Sequence, residues 1–315
     1  MADWREVPPV PAAAFKHLRL FSVEDGRAPE KVFVTSGTTR GAERRGEHAV
    51  ASLELYHAAA LPWFRAHLLP DGAQPDVLAL VPSPADAPVS SLSSMVGAVI
   101  GEFGGDHSQW RARADGVVDA RALLDALRGA EASGRPALIA TTAFALVHAL
   151  DGLAAAGARV RLPEGSRMME TGGFKGRARV VARDELYANV QDRLGIPAER
   201  IVNEYGMTEL LSQFYEPVLR GAAPTPLAER FHAAPPWVRT RVLDPVTLAE
   251  LDDGAPGLLC HFDLANAGSV ACVLTEDLGV AVPGGFRLIG RAPGAEPRGC
   301  SLATEELLTA AEQPR

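Results

Sequence analysis

With 315 residues, 47% of them hydrophobic and 22% charged, the chain is ample for one large α/β domain or two smaller ones around a buried core. A formal net charge of −8 argues against nucleic acid as the main partner, because a phosphate backbone calls for a basic surface. Three cysteines, Cys260, Cys272 and Cys300, are too few and too irregularly spaced for a disulfide framework or a zinc site.

In chain order, Met1 to Pro29 reads as an irregular lead-in, with Pro8, Pro9 and Pro11 and no apolar secretory stretch, so a cytoplasmic location is expected. Lys31 to Val34 is β-prone. It opens into Thr35-Ser36-Gly37-Thr38-Thr39, small residues that are hydroxylated except for Gly37. Such a loop can turn backbone N–H groups inward as an anion nest and donate hydroxyls to phosphate oxygens, with Arg40, Arg44 and Arg45 following. A plain Thr/Ser turn has the same composition.

Glu47 to Leu68 carries apolar residues near helical spacing, and Pro62 is predicted to kink or divide that helix. Asp76 to Val81 is a short buried strand. Ser90 caps a helix running toward Ile100 and closed by Gly104-Gly105. Asp119 to Ala132 is an amphipathic helix with Leu123, Leu124 and Leu127 on one face. Ala137 to Ala140 is a strand, and Thr142 then caps a helix ended by Gly157. This apolar run holds His148 and Asp151 and is no membrane span.

Arg159 to Leu162 and Arg167 to Glu170 read as strands, Asp184 to Leu194 as a helix closed by Gly195, and Arg200 to Asn203 as a strand. Strands alternating with helices predict a mostly parallel sheet flanked by helices. From Arg241 onward the pattern turns β-rich, with strands at Leu258 to Leu264, Ser269 to Thr275 and Phe286 to Ile289.

Four further strings could carry chemistry. In Glu170-Thr171-Gly172-Gly173-Phe174-Lys175-Gly176-Arg177, the glycines would let a flat ring lie against the backbone. Lys175 is one of three lysines among 31 basic residues, the others being Lys16 and Lys31, so a retained ammonium is informative. Asn203-Glu204-Tyr205-Gly206-Met207-Thr208-Glu209 reads as a strand, a turn and a helix start. It offers an aromatic to a base, a hydroxyl to phosphate and a carboxylate to magnesium. Thr275-Glu276-Asp277-Leu278-Gly279 sets an acid before a glycine turn, where it could bind a ribose or simply sit in a loop. From Gly290 the chain is rich in Pro and Gly and carries Cys300 near Arg298. That cation favours a thiolate, yet the cysteine could equally be incidental. Cys260 and Cys272 lie in apolar strand patterns and read as inert core.

In this order the strings resemble the adenylate-forming superfamily of acyl- and aryl-CoA ligases. More closely, SSLSSM, ETGGFKGR, NEYGMTELLSQFY, HFDLAN, TEDLG and RGCS resemble the acyl-protein synthetase (LuxE) family of bacterial bioluminescence, over about Lys31 to Leu302. The resemblance implies an adenylation core over 1–289, with a β-rich subdomain at 240–289. A hinge-like tail, 290–315, bears Cys300 in place of the usual lid domain. It implies ATP-dependent activation of a carboxylic acid, a fatty acid by the family's habit, to acyl-AMP. The acyl group then passes to Cys300 and on to a partner acyl reductase.

By the same resemblance, Thr35, Ser36, Gly37, Thr38 and Thr39 hold ATP phosphates, with Thr208 in the signature that follows. Gly172, Gly173, Tyr205 and Gly206 form the adenine site, Asp277 binds the ribose, and Glu209 holds Mg²⁺. Lys175 and Arg291 meet charge near the α-phosphate. The superfamily's lid lysine has no counterpart here, since no lysine follows Lys175 and 24 residues follow Arg291. Two alternatives stay open. The acyl-AMP could pass directly to coenzyme A or a carrier-protein thiol, or the chain could be a non-catalytic nucleotide-binding subunit regulating a reductase.

Overall fold

The computed structural model describes residues 3–22, 26–35, 45–172, 181–221 and 223–291. They fall into two compact units. One comprises the described parts of Met1–Ala60, Met207–Phe214 and Phe231–Arg315, and the other comprises those of Leu61–Gly206 and Tyr215–Arg230.

After the two-residue strand β1 (Val10–Pro11), β2 (Lys31–Val34) and β3 (Glu47–Val50) pair antiparallel, Lys31 opposite Val50 and Val34 opposite Glu47. The helix expected from Glu47 therefore starts later. His48, Ala49 and Val50 are buried in succession, and their backbone groups belong to the ladder. Helix α1 begins at Leu53 and ends at Leu68. Its entry is fixed by side chains: the Glu30 carboxylate accepts from Leu53 N at 2.7 Å and Ser52 Oγ accepts from Leu55 N at 3.2 Å. Pro62 lies within α1 without dividing it.

The parallel α/β part follows as β4 (Asp76–Leu80), α2 (Ser91–Phe103), β5 (Gln109–Trp110), α3 (Ala120–Ser133), β6 (Ala137–Thr142), α4 (Ala143–Ala155), β7 (Arg167–Thr171), α5 (Arg183–Leu194) and β8 (Ile201–Tyr205). The strands run in the order β5-β4-β6-β7-β8, every pair parallel. Every residue of β4 and β7 is buried, as expected of strands covered on both faces.

Each helix start has a local cause. The side chains of Ser90, Asp119 and Thr142 accept from the N–H three residues on, at 3.1, 2.9 and 3.1 Å. Gly134 and Gly195 close α3 and α5 at φ +69° and +73°. Leu123, Leu127, Leu146, Leu150, Leu186 and Val190 of α3, α4 and α5 build the core with Leu78, Ile139 and Met168 from the strands. The strand expected at Arg159 to Leu162 does not form. Those amides cap α5 instead, Val160 N donating to Arg193 O at 2.8 Å and Leu162 N to Leu194 O at 3.0 Å.

The remaining strands are β9 (Phe214–Tyr215), β10 (His232–Ala233), β11 (Val238–Leu243), β12 (Pro256–Asp263), β13 (Cys272–Val282) and β14 (Gly285–Arg291). The order β11-β12-β13-β14-β10 is antiparallel throughout, and β1 joins β13 in parallel. This β-rich region thus starts at His232 rather than at Arg241. Thr275 to Gly279, expected to turn, lies wholly inside β13, and the glycine serves a register shift at Leu278/Gly279 against β14. Leu243, Leu258, Cys260, Cys272 and Leu274 form a small core. The two thiols are buried, 3.6 Å apart. Among the described residues no helix is long and apolar enough to cross a membrane.

Candidate active site

In the parallel unit the site candidates sit where β7 and β8 end. Thr171 pairs with Glu204, so Gly172 and the Tyr205-Gly206 step leave neighbouring strands together. Gly172 has φ +72°, and a Cβ there would meet only open space. Gly206 is exposed, and a Cβ on it would collide with the Glu204 carboxylate. Gly172 is favoured by its left-handed backbone, whereas at Gly206 a Cβ would displace the end of the Glu204 side chain. Tyr205 is 8% exposed.

Beneath the turns lies a polar network. The Thr171 hydroxyl donates to the Glu204 carboxylate. Glu170 Oε1 accepts from Tyr187 Oη at 2.8 Å and from Asn203 Nδ2 at 2.6 Å. Arg183 and Arg230 both reach Glu216, at 2.6 and 3.4 Å. Burial pushes the Glu204 carboxyl up to about 7, with Glu170 adding repulsion, and burial also raises Glu170. Sequence reasoning missed these acids, because a carboxylate before an aromatic on a strand gives no hint of how deep it sits.

In the other unit, Thr35 closes the β2–β3 hairpin. Its N–H donates to Gly46 O, and its hydroxyl oxygen accepts from Gly46 N, both at 2.9 Å. Two residues along β3, His48 Nδ1 donates to Thr208 O at 2.6 Å. The stem of the hydroxyl-rich loop and the Thr208-Glu209 pair are thereby brought together.

The helix expected after Gly206 is absent. Residues 207–213 carry no helix or strand, and their backbone is held by distant side chains. Asn266 Nδ2 donates to Glu209 O at 2.8 Å. Asp263 accepts from Leu211 N, Ser212 N and Ser212 Oγ at 3.3, 3.0 and 2.7 Å. Trp237 Nε1 donates to Ser212 Oγ at 2.9 Å. His48, Asp263 and Asn266 were not among the expected site residues, although DLAN, which contains the last two, is one of the resembling strings.

Asp277 and Arg291 meet across β13 and β14. Arg291 Nη2 donates to Glu276 Oε2 at 2.9 Å, and its Nε lies 4.0 Å from Asp277 Oδ1. Arg291 and Gly290, expected at the start of a hinge, are ladder residues opposite Asp277 and Leu278. Ser36, Gly37, Thr38, Thr39, Gly173, Lys175 and Cys300 lie outside the described residues. Among the described residues no cluster of three or more acids, histidines or cysteines could hold a metal ion. Glu209, half-buried on an anchored backbone, offers one carboxylate. That suits Mg²⁺ when phosphate oxygens complete the shell.

A helix-flanked parallel sheet with glycine turns at its strand ends, joined in one chain to antiparallel strands, is the fold of the adenylate-forming enzymes. The chain aligns with ATP-bound MatB from Rhodopseudomonas palustris at a TM-score of 0.56 and 17% identity, covering 86% of this chain and 50% of that one. A long-chain-fatty-acid-CoA ligase (FadD1) from Archaeoglobus fulgidus aligns at 0.55 and 14% identity, covering 89% and 53%.

Within that class the chain belongs to the acyl-protein synthetase, LuxE, family, which matches residues 111–309. It is 32% identical over 120 residues to a long-chain-fatty-acid–luciferin-component ligase of Vibrio harveyi, covering 36% of this chain and 29% of the relative. Against the ligase of the same name from Aliivibrio fischeri it is 31% identical over 83 residues, covering 24% and 22%. The chain thus spans about half the length of the solved structures, and its curated matches cover less than a third of those relatives.

Proposed function

We propose that the chain activates a carboxylic acid with ATP and captures the acyl group as a thioester on Cys300, for delivery to a partner acyl reductase. One observation carries the reading: His48 binds the Thr208 carbonyl, so the stem of a hydroxyl-rich loop adjoins the turn bearing Glu209. That juxtaposition suits a magnesium-bound polyphosphate. The names of the Vibrio harveyi and Aliivibrio fischeri relatives point to a long-chain fatty acid.

In the first step a carboxylate oxygen attacks the α-phosphorus and pyrophosphate departs. Thr35 to Thr39 and Thr208 hold the phosphates, and Lys175 and Arg291 meet charge at the α-phosphate or the carboxylate. Gly172, Gly173 and Gly206 leave room for adenine against the backbone, Tyr205 stacks on it, and Asp277 takes the ribose hydroxyls. Glu209 would hold Mg²⁺, which would neutralise charge on the phosphates. In the second step the Cys300 thiolate attacks the acyl carbonyl, the acyl–phosphate bond breaks, and AMP leaves with the electron pair. Covalent capture keeps the mixed anhydride from water. Residues 1–289 serve as the adenylation core and 290–315, whose first two residues still pair in β14, as the tail that carries the cysteine.

Two measurements test the scheme. Acid-dependent exchange of pyrophosphate into ATP by the purified chain reports the first step, and its absence with every acid tried would leave a nucleotide-binding subunit. Labelled acid plus ATP reports the second. A protein-bound label that survives denaturation and disappears in Cys300→Ala marks self-acylation, whereas exchange without such a label marks direct transfer to coenzyme A or a carrier thiol.

A further inference from the structure

Residues 207–213 form neither helix nor strand; Leu210 N donates to Met207 O at 3.2 Å within the segment, and several of the other backbone groups find partners elsewhere. Two consecutive carbonyls are met by side chains from two different elements. Thr208 O accepts from His48 Nδ1 of β3 at 2.6 Å, and Glu209 O accepts from Asn266 Nδ2 at 2.8 Å. A carbonyl only accepts, so the His48 proton is on Nδ1 and Nε2 is left with a lone pair. That Nε2 is buried and makes no hydrogen bond of good geometry, and Asn266 is the side chain that acts on the ring besides the Thr208 carbonyl.

Asn266 is in the same position. Both its hydrogens are spent, on Glu209 O and on Val270 O at 3.0 Å, and its Oδ1 is buried and unpartnered. Each residue is fully buried, at 0% exposure. Leaving two acceptors dry is costly, and an aliphatic pair of similar shape would avoid the cost. What the pair provides in return is directional: one donor aimed at each of the two carbonyls on either side of the Glu209 Cα.

The ring is also tied on its other side. Phe15 meets it edge-on at a centroid distance of 5.6 Å, and His48 stands in the ladder opposite Phe33 of β2. Burial lowers His48 to about 4, against the Thr208 carbonyl and the Asn266 side chain, which both favour the charged ring.

We propose that His48 and Asn266 are positioning residues for the Thr208–Glu209 turn, and that His48 couples this turn mechanically to the β2–β3 hairpin. The functional side of this inference rests on the reading that Glu209 serves a magnesium-bound triphosphate. A shift of the hairpin on nucleotide binding would move the backbone that aims Glu209, and ordering of that turn would steady the hairpin. Asp263, three residues before Asn266, holds the following peptide units, so the DLAN string is the mount of the signature turn.

The test uses the full chain with His48→Phe, which keeps a ring but no donor, and His48→Asn, whose amide nitrogen falls near the position of Nδ1. In His48→Phe, half-saturation by ATP and by Mg²⁺ is expected to rise about tenfold, the size of one well-aimed hydrogen bond, with the KM for the acid unchanged. Amide hydrogen exchange is expected to accelerate in segments 45–50 and 207–212 together, and His48→Asn to restore both readouts. Asn266→Leu, expected to loosen 207–212 alone, carries the test if His48→Phe does not fold.

Unchanged exchange at 207–212 in these variants would overturn the coupling. So would a rise in the acid KM equal to that for ATP. If the wild-type chain neither binds Mg·ATP nor exchanges pyrophosphate, the acyl-activation reading falls, and hydrogen exchange alone still decides whether His48 joins the two segments.

Discussion

The two halves of the YGMTE signature are held in opposite ways. Tyr205 and Gly206 follow directly on a parallel ladder whose last pair is Thr171 with Glu204, and the Glu204 side chain takes the Thr171 hydroxyl beside it. Residues 207–213 have no ladder of their own and hang from His48, Asp263, Asn266 and Trp237. A backbone held by its own hydrogen bonds tolerates loss of a side chain, whereas one held by side chains does not.

The sharpest way to break this contrast is Asp263→Ala. It removes the acceptor for Leu211 N, Ser212 N, Ser212 Oγ and Ala265 N at once, at a site where Asp263 is 0% exposed. A loss of about 3 to 4 kcal/mol is expected in urea unfolding. A loss below about 1 kcal/mol would mean that the segment is held by something else.

Glu204→Gln probes the strand-held half, and the expected effect is smaller and opposite in sign at neutral pH. The folded-state value of Glu204, about 7, lies above the ordinary 4.5. Its contribution to stability is therefore complete below about 4.5 and is lost as pH rises through 7. At pH 8 the variant should be more stable than the native chain by about 2 to 3 kcal/mol, and the two should converge near pH 4.5. A gain independent of pH would show that the carboxyl is not the group titrating.

The smallest effect is expected at Arg291→Ala. The side chain is 62% exposed and its partner Glu276 is 29% exposed, and solvent screening leaves such pairs worth at most about 0.5 kcal/mol. A melting temperature within a degree or two of the native chain, alongside lost pyrophosphate exchange, would assign Arg291 to chemistry. Lost stability would instead make it part of the β13–β14 ladder.

Local causes were legible in the sequence and distant ones were not. Ser90, Asp119 and Thr142 cap their helices through an N–H three residues away, so the pattern that predicts the cap contains its whole mechanism. The parallel order of the strands followed from their alternation with helices. At Glu47 the apolar spacing suited a helix, but pairing with β2 decided the matter. At Met207 a helix start was plausible until side chains from β3 and from the end of β12 onward took the backbone. His48 lies 160 residues from the carbonyl it binds, and no window on the sequence joins the two. Asp277 was placed in a turn because Gly279 follows, yet that glycine serves a bulge within a long strand.

The sulfur pair of β12 and β13 has a practical consequence. Cys260 and Cys272 are each 1% exposed, packed against leucines with the Arg241 guanidinium 4.0 Å from the Cys260 sulfur. A maleimide dye added to the folded protein finds neither of them, so any fluorescence it acquires comes from outside those strands. A stopped-flow trace of a turning-over preparation would thus start from a silent baseline, and the occupancy of a working thiol could be followed in real time without engineering those two away.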